Sequence, residues 1–306
     1  MTNLLSLRLD FYVYTPSPEF ISQVYIGAIS PSLVHFQCND TPAVPSIFEF
    51  LRSHSNLSVL HLGSVYARRQ LQNGQNETQY RFESISPQIL LPNLTFLELN
   101  VDSEVLTFST ELLLRVSTHL ERLSIAHSDV SSRQLNDSVL NHLNALYHVC
   151  SARLTHLIIE DTPHRCPQSF SWIISNVLPK LPHLRILELR QGQRRDRTHF
   201  SSYIQQAIRT DSLASEDPDV ISVFPTKLEK LRWVGADAFF PTVRSDLSPL
   251  GASNANVLLE LFPSLKVVEY HERGYMFIFR RLDGGVVVRQ SVRSTVPLDA
   301  DHFPWS

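Results

Sequence analysis

The sequence predicts an α/β fold: a leucine-rich-repeat solenoid in the form of an irregular horseshoe. About nine repeats would place parallel strands on the concave face and helices or loops on the convex face. The main observation is a short apolar phrase, L-x-x-L-x-L with substitutions, that returns nine times. One phrase is too short to bury its own apolar side chains, so the copies must stack. Their first leucines are Leu4, Leu33, Leu57, Leu94, Leu120, Leu154, Leu184, Leu228 and Leu265.

Each phrase predicts one β-strand. We number its positions as places, with the first leucine at place one. The apolar residues at places four and six alternate with polar or mixed residues, which is the period of a strand with one buried face. Parallel neighbours need a crossover, and the 24 to 44 residues between successive first leucines leave room for a helix and two loops. We therefore expect one sheet of stacked parallel strands.

Apolar residues at helical spacing predict helices in several crossovers. Glu111 follows two hydroxyl residues that can cap a helix, which places a helix over residues 112–116. An earlier helix is expected over residues 47–51, soon after Pro45. The same helical spacing recurs in residues 135–150, 170–177 and 200–208.

The two ends of the repeat array differ. Residues 1–274 are expected to form the leucine-rich-repeat solenoid, and residues 275–306 a C-terminal hairpin cap and tail. Two β-prone segments flank Asp283-Gly284-Gly285, which is a typical hairpin turn signal. The first phrase begins at Leu4, without room for the polar cap that repeat arrays normally have. We expect an upstream domain outside this chain, a partner or the chain's own loops to cover that edge.

Composition and charge exclude several classes of protein. Apolar residues make up 43% of the chain and charged residues 19%, which fits a folded protein with a continuous core. The net charge of −3 gives no overall attraction to phosphate, so nucleic acid is not an expected partner. There is no signal-peptide pattern and no run of about 20 apolar residues, so no membrane partner is expected. Three cysteines without disulfide or metal spacing indicate a cytoplasmic or nuclear location.

No sequence motif supports an enzyme. The chain has nine glycines in all, and it lacks a nucleophile elbow, a phosphate-binding glycine loop and an H-E-x-x-H zinc motif. His164 and Cys166 form a single weak metal-like pair beside Pro167. We therefore expect no catalytic residue, no cofactor and no metal site.

The candidate binding surface is the concave face, built from places three and five of each phrase, which we call row three and row five. Both rows mix charged, aromatic and aliphatic residues, which suits a protein partner better than a uniform polyanion. Aromatic and arginine anchors carry much of the energy of such interfaces. The alternative is that these are ordinary solvated strand residues. The residues expected to contact a protein partner are Phe96, Glu98, Arg122, His156, Ile158, Glu188 and Arg232.

Three segments carry a family resemblance that extends over nearly the whole chain. They read Phe50-Leu51-Arg52-Ser53 running into Leu57-x-x-Leu60-x-Leu62, then Leu91-Pro92-Asn93-Leu94-x-x-Leu97-Glu98-Leu99, then Leu181-Pro182-His183-Leu184-x-x-Leu187-Glu188-Leu189. These segments resemble the leucine-rich-repeat region of fungal F-box proteins. In that family an N-terminal F-box docks on the adaptor subunit of a cullin-RING ubiquitin ligase, and the repeats present a protein substrate.

The resemblance implies a non-catalytic protein–protein interaction module, the substrate-recognition part of an F-box-type ubiquitin-ligase adaptor, whose partner is a ubiquitination substrate. No recognisable F-box with its Leu-Pro start precedes the first phrase, so a ligase adaptor is an expected partner only if an F-box lies outside this chain. Place nine also lacks the asparagine or cysteine that is frequent in such repeats. The alternative is a stand-alone leucine-rich-repeat scaffold with no ligase link, a truncated or diverged family member.

Overall fold

The chain forms two compact units, residues 1–157 (unit 1) and 158–306 (unit 2). The division falls inside the sixth strand. The structure is a computed structural model, and it describes residues 4–10, 18–39, 41, 46–65, 91–102, 112–113, 119–128, 153–160, 178–190, 227–234, 258–259, 262–272, 275–282 and 287–293.

The structure gives bounds for eleven strands and two α-helices, and residues 112–113 and 258–259 are helical as well. In unit 1 these are β1 (Ser6–Leu9), α1 (Pro18–Gly27), β2 (His35–Cys38), α2 (Ser46–Arg52), β3 (Val59–Val65), β4 (Phe96–Asp102) and β5 (Arg122–Ser128), and β6 (His156–Glu160) begins there. In unit 2 they are β7 (Ile186–Arg190), β8 (Lys230–Val234), β9 (Val267–Glu272), β10 (Tyr275–Arg281) and β11 (Val287–Arg293), with a short 3₁₀ helix at Leu178–Lys180.

Strands that come from successive phrases are parallel neighbours. In unit 1, β1 to β5 lie side by side in chain order. In unit 2, β7, β8 and β9 do the same. The pairing keeps each place of a phrase opposite the same place of the next, so that Leu60 lies opposite Leu97 and Leu187 opposite Leu231. Within each unit, successive phrases therefore pair place by place, as the sequence predicts.

One backbone contact recurs at the start of seven of the described strands, β2 to β6, β8 and β9. The carbonyl at place two accepts the amides of both place two and place three of the next phrase, as Ser58 does from Thr95 (2.9 Å) and Phe96 (3.1 Å). This shared acceptor locks successive phrases in the same register. The other described carbonyls that do this are those of Leu5, Val34, Thr95, Glu121, Arg185 and Glu229.

The leucine positions form the core. In phrases two to nine, every described side chain at places one, four and six is at most 5% exposed. Full burial of such a side chain stabilises the fold by roughly 1.5 to 3 kcal/mol. Parallel strands in chain order, joined by crossovers and packed through one leucine-rich face, are the leucine-rich-repeat architecture. The fold class predicted from the phrase is thus the one observed.

A tight turn precedes most of the described phrases. In five of these turns the amide of the first leucine donates to the carbonyl three residues earlier, at 2.9 to 3.4 Å. Proline holds the second position in four of them, where its fixed φ suits the turn. These prolines are Pro31, Pro92, Pro182 and Pro263.

The residue just before the first leucine, place zero, ties four of the described phrases to the preceding one. Asn56 donates its side-chain amide to the carbonyl of Pro31 (2.9 Å), and Asn93 donates to that of Ser55 (3.0 Å). This polar ladder lies at place zero and not at place nine, where asparagine is frequent in leucine-rich repeats. Side chains at place zero also join Arg153 to His119 (2.8 Å) in unit 1 and Lys227 to His183 (3.3 Å) in unit 2.

An aromatic cluster packs the two helices of unit 1 on β2. The Phe50 ring of α2 lies 4.7 Å from Phe36, 5.3 Å from Tyr25 of α1 and 4.2 Å from His54. The buried His54 ring accepts the amide of Ser30 on Nε2 (3.0 Å) and contacts the Phe50 carbonyl through Nδ1 (2.6 Å), which fits the neutral tautomer protonated on Nδ1. These contacts anchor the turns before the second and third phrases.

Of the five predicted helices, the structure confirms one, describes part of a second and leaves three outside the described residues. The helix expected over residues 47–51 is confirmed as α2, whereas α1 has no counterpart in the prediction. Of the segment 112–116, Leu112 and Leu113 are described, and both are helical and buried. The helices expected over 135–150, 170–177 and 200–208 lie outside the described residues. No helix in the described stretches is long and apolar enough to cross a membrane.

The last strands of unit 2 reverse direction. β10 is antiparallel to both β9 and β11, with Phe277 opposite Tyr270 on one side and Ser291 on the other. This hairpin falls where the sequence predicts one, and its turn residues 283–286 are outside the described part. The domain boundary proposed between residues 274 and 275 stays a prediction.

Gly63 of β3 is a close-approach position. A Cβ atom placed there would lie 2.7 Å from the backbone oxygen of Asn39, which cannot move without disturbing β2. We expect Gly63→Ala to lower the free energy of unfolding by roughly 1 to 3 kcal/mol through overpacking. Chemical denaturation monitored by circular dichroism measures the change.

Gly27→Ala is the matched control. No atom lies within 4 Å of a Cβ at Gly27, at the end of α1, so this change should be neutral or stabilise by about 0.5 to 1 kcal/mol. Equal losses of stability in the two variants would contradict the packing of β3 against residue 39.

Candidate binding surface

The structure aligns rows three and five across neighbouring strands. Row three of unit 1 reads Ser6, His35, Val59, Phe96 and Arg122, and row five reads Arg8, Gln37, His61, Glu98 and Ser124. In unit 2 the described pairing aligns Ile186, Lys230 and Val267 in row three and Glu188, Arg232 and Glu269 in row five. Side chains in a row are cross-strand neighbours, so they can act together.

The seven residues predicted to contact a partner are divided between the two units. Each group is therefore a separate local surface, and their binding role stays a prediction. Phe96, Ile158 and Glu188 are buried, so this structure leaves little or none of their side chains accessible. Unit 1 contains Phe96, Glu98, Arg122 and His156, and unit 2 contains Ile158, Glu188 and Arg232.

An aromatic contact centre lies on β3, β4 and β5 of unit 1. The Arg122 guanidinium lies over the Phe96 ring, 5.0 Å from its centroid, and the His61 ring meets the same ring edge-on, also at 5.0 Å. His61 Nδ1 is 3.3 Å from a carboxylate oxygen of Glu98, whose side chain is 42% exposed. Phe96 is therefore sandwiched between a cation and an imidazole, and Glu98 is the accessible member of the group.

Two histidines of unit 1 are coupled electrostatically. Burial lowers the pKa of His35, and the charge of nearby His61 lowers it further. The neutral form of His35 is therefore favoured next to a His61 that is paired with Glu98. This arrangement groups aromatic, imidazole and carboxylate side chains, and Glu98 is more exposed than His61 or Phe96.

A buried carboxylate joins two arginines in unit 2. Glu188 accepts from Arg190 Nε at 2.6 Å and from Arg232 Nη1 at 3.2 Å. The Glu188 side chain is 1% exposed, which is tolerated because both arginines compensate its charge. The three side chains belong to two adjacent strands, β7 and β8, so this contact also couples the strands.

The same chain of ion pairs continues on both sides. Arg232 Nε donates to Glu269 on β9 at 2.9 Å, and Lys230 Nζ contacts the other oxygen of Glu269 at 2.8 Å. Arg190 also lies 3.6 Å from Glu160. Charges alternate in sign throughout. We call these six residues the ion-pair chain: Glu160, Arg190, Glu188, Arg232, Glu269 and Lys230.

Competing effects act on Glu269. Its burial alone would raise the pKa of the carboxyl group. The hydrogen bond from Lys230, together with the charges and hydrogen bond of Arg232 and Lys230, outweighs burial and holds the pKa below its ordinary value. Glu269 is therefore ionised at neutral pH, and its charge stabilises the folded state.

A second, more exposed row of charges lies at place two. Arg185 contacts Glu229 at 3.0 Å, and Lys266 lies 3.8 Å from the same carboxylate. The hydrogen bond from Arg185 is the main reason that the pKa of Glu229 is lowered. These pairs repeat in phase with the phrases, yet solvent screens them much more than the buried Glu188.

Sequence reasoning placed Glu188 and Arg232 on the surface but did not foresee their pairing. The signal was present in row five, where the sign of the charge alternates through Glu188, Arg232 and Glu269. It also did not select Lys230 and Arg190, which complete the ion-pair chain. In the described part of the chain, no group of three or more His, Cys, Asp and Glu residues is arranged to hold a metal ion.

Comparisons with known proteins give weak structural likeness. No protein-family model matches the chain, and no curated protein matches it. Among solved structures, an internalin from Listeria monocytogenes is 11% identical, with a TM-score of 0.23; the alignment covers 88% of this chain and 82% of that chain. At this level the likeness bears neither on fold nor on function. The leucine-rich-repeat assignment rests on strand order, register and the buried leucines.

The ion-pair chain predicts a stability difference between two glutamates of unit 2. Glu188→Gln should lower the free energy of unfolding by roughly 2 to 4 kcal/mol, because two partly buried arginines lose the counter-charge that they share. The loss is limited because each arginine keeps one other carboxylate partner. The control Glu229→Gln removes a screened surface contact and should cost about 0 to 1 kcal/mol. Denaturant titration of both variants is the measurement, and equal effects would contradict the burial of Glu188.

The lowered pKa of Glu269 predicts acid sensitivity. Because the folded-state pKa lies below the unfolded value of about 4.3, the stabilisation is complete above that value and is lost as pH falls through the folded-state pKa. Unfolding free energies measured from pH 6 downward should therefore fall less steeply for Glu269→Gln than for the unchanged chain. Parallel curves for the two proteins would show that Glu269 does not stabilise the folded state by its charge.

Proposed function

We propose that this chain is a protein-binding module that contacts its partner through rows three and five. The observation that carries this proposal is the in-register alignment of aromatic, cationic and anionic side chains on neighbouring strands. Such mixed surfaces with aromatic and arginine anchors suit protein interfaces. The module would act without catalysis or a cofactor, in the cytoplasm or the nucleus.

The charge pattern supports a protein partner over a polyanion. The chain has a net charge of −3, and in unit 2 the cations Arg190, Arg232 and Lys230 already lie beside carboxylates in the ion-pair chain. A nucleic acid would need several cations directed at phosphates. A protein surface can instead match local alternation of charge around the Phe96 contact centre.

The more specific role rests on the resemblance of the phrases to F-box proteins. In that role the repeats would be the substrate-recognition part of a ubiquitin-ligase adaptor, and the partner would be a protein to be ubiquitinated. Docking on the ligase would require an F-box outside this chain. The competing role is a stand-alone scaffold that binds protein partners and recruits no ligase.

Affinity purification followed by mass spectrometry separates these two roles. The chain would carry a small affinity tag at its C-terminus and be expressed from its own gene locus, so that any adjoining segment is retained. Recovery of cullin-RING subunits together with a specific partner supports the ligase role. Recovery of a specific partner without cullin-RING subunits supports the scaffold, and recovery of no specific partner contradicts both.

Charge reversal tests the contact surface itself. Glu98→Lys changes the accessible carboxylate of row five, next to His61, and should weaken binding of the recovered partner by roughly fivefold or more, about 1 kcal/mol. Glu121→Lys is the matched control, since Glu121 is exposed at place two, outside both rows. Titration calorimetry with the purified partner measures both affinities. Equal affinities for the two variants would reject rows three and five as the contact surface.

A further inference from the structure

The first strand is less covered than the strands that follow it. Leu4, Leu7 and Leu9 of the first phrase are half-buried, whereas the described side chains at the same places in later phrases are at most 5% exposed. Leu5, at place two, is 61% exposed. Among the described strands of unit 1, β1 lies at the edge of the sheet, paired on one side with β2. Its other side therefore presents apolar side chains and backbone groups together.

The helix that follows β1 in the chain also carries exposed apolar side chains. Phe20 and Ile26 of α1 and Ile29 just after it have exposed side chains. The hydroxyl of Ser32 donates to the Leu4 carbonyl at 3.1 Å, which holds the chain that follows α1 against the start of β1. Together with Leu5, these are all the exposed large apolar residues that the described part of unit 1 contains.

The backbone of β1 has a defined set of outward groups. The Leu5 carbonyl accepts the amides of Val34 and His35, and the Leu9 carbonyl accepts that of Asn39, so these residues face β2. Because successive residues of a strand point their backbone groups to opposite sides, those of Ser6 and Arg8 face away from β2. An edge of this kind is a template for another strand.

We propose that β1 pairs with β1 of a second copy of this chain, antiparallel and centred on Leu7. In this register Ser6 of one copy lies opposite Arg8 of the other, and the two exchange both backbone hydrogen bonds. Leu7 meets its own equivalent on the two-fold axis, and Leu5 meets Leu9. The order Leu-Ser-Leu-Arg-Leu has its leucines at the same places in both directions, as a two-fold interface requires.

Charge selects this register over its neighbour. A pairing centred on Arg8 would place two Arg8 side chains directly opposite each other, which is unfavourable. In the register centred on Leu7, each Arg8 lies opposite a serine and keeps its ion pair with Asp10 of its own chain, at 3.0 Å. Each Asp10 is also held by the side-chain amide of Asn39. The second copy thus covers the leucines of β1 without bringing like charges together.

Sedimentation velocity tests the association. The 306-residue chain of 34.9 kDa should sediment as a dimer at micromolar concentration and dissociate on dilution. Leu5→Lys should shift it to the monomer, because lysine at this edge opposes pairing. Leu282→Lys is the matched control, since Leu282 is a similarly exposed leucine (49%) in unit 2 and should leave the dimer intact. A monomer at every concentration, or equal loss in both variants, overturns the proposal.

Oxidative cross-linking tests the register. At a non-hydrogen-bonded antiparallel pair the two Cα atoms lie about 4.5 Å apart, within the range that a disulfide spans. Leu7→Cys should therefore give a covalent dimer under mild oxidation. Ser6→Cys should not give a covalent dimer. Residue 6 lies opposite residue 8 of the second copy, so the two cysteines would be offset by two residues along the strand. Equal cross-linking of both variants, or none with Leu7→Cys, overturns the register centred on Leu7.

Discussion

Burial of the side chains at places one, four and six is the constraint on which the rest of the structure depends. A slip of one residue in strand pairing would turn these side chains to the other face of the sheet, at a cost of roughly 1.5 to 3 kcal/mol for each leucine exposed. The place-two carbonyls, each of which accepts two amides of the next phrase, fix the same phase through the backbone. Rows three and five follow from it, since their members must then lie opposite each other.

The two units use those rows differently. In unit 2, Glu188, Arg232 and Glu269 compensate one another's charge, so a partner that approached them would have to compete with existing ion pairs. In unit 1, row three instead carries Phe96 under Arg122, and row five leaves Glu98 accessible beside His61. This difference favours unit 1 for contact with a protein partner, while the ion-pair chain of unit 2 couples its strands.

The phrase alone is enough to predict the strands, their phase and the two rows, because period-2 burial and repeat spacing are properties of the sequence. It cannot predict that Glu188 is buried, since this depends on where Arg190 and Arg232 meet around it. The polar ladder at place zero was missed because it bonds backbone carbonyls of the preceding turn, which leave no mark in the sequence pattern. Helix α1 was missed although Ile21, Val24 and Tyr25 have helical spacing, because the exposed apolar residues Phe20 and Ile26 stand next to them in the sequence and obscure the pattern.

Residue-resolved hydrogen exchange tests the shared register most directly. The amides at places two and three, such as those of Thr95, Phe96, Glu229 and Lys230, each donate to a carbonyl of the preceding phrase. They should therefore exchange slowly in both units, with opening free energies close to that of global unfolding. Exchange of these amides at the rate of an unstructured chain would contradict the account that each phrase forms a strand in register with the next.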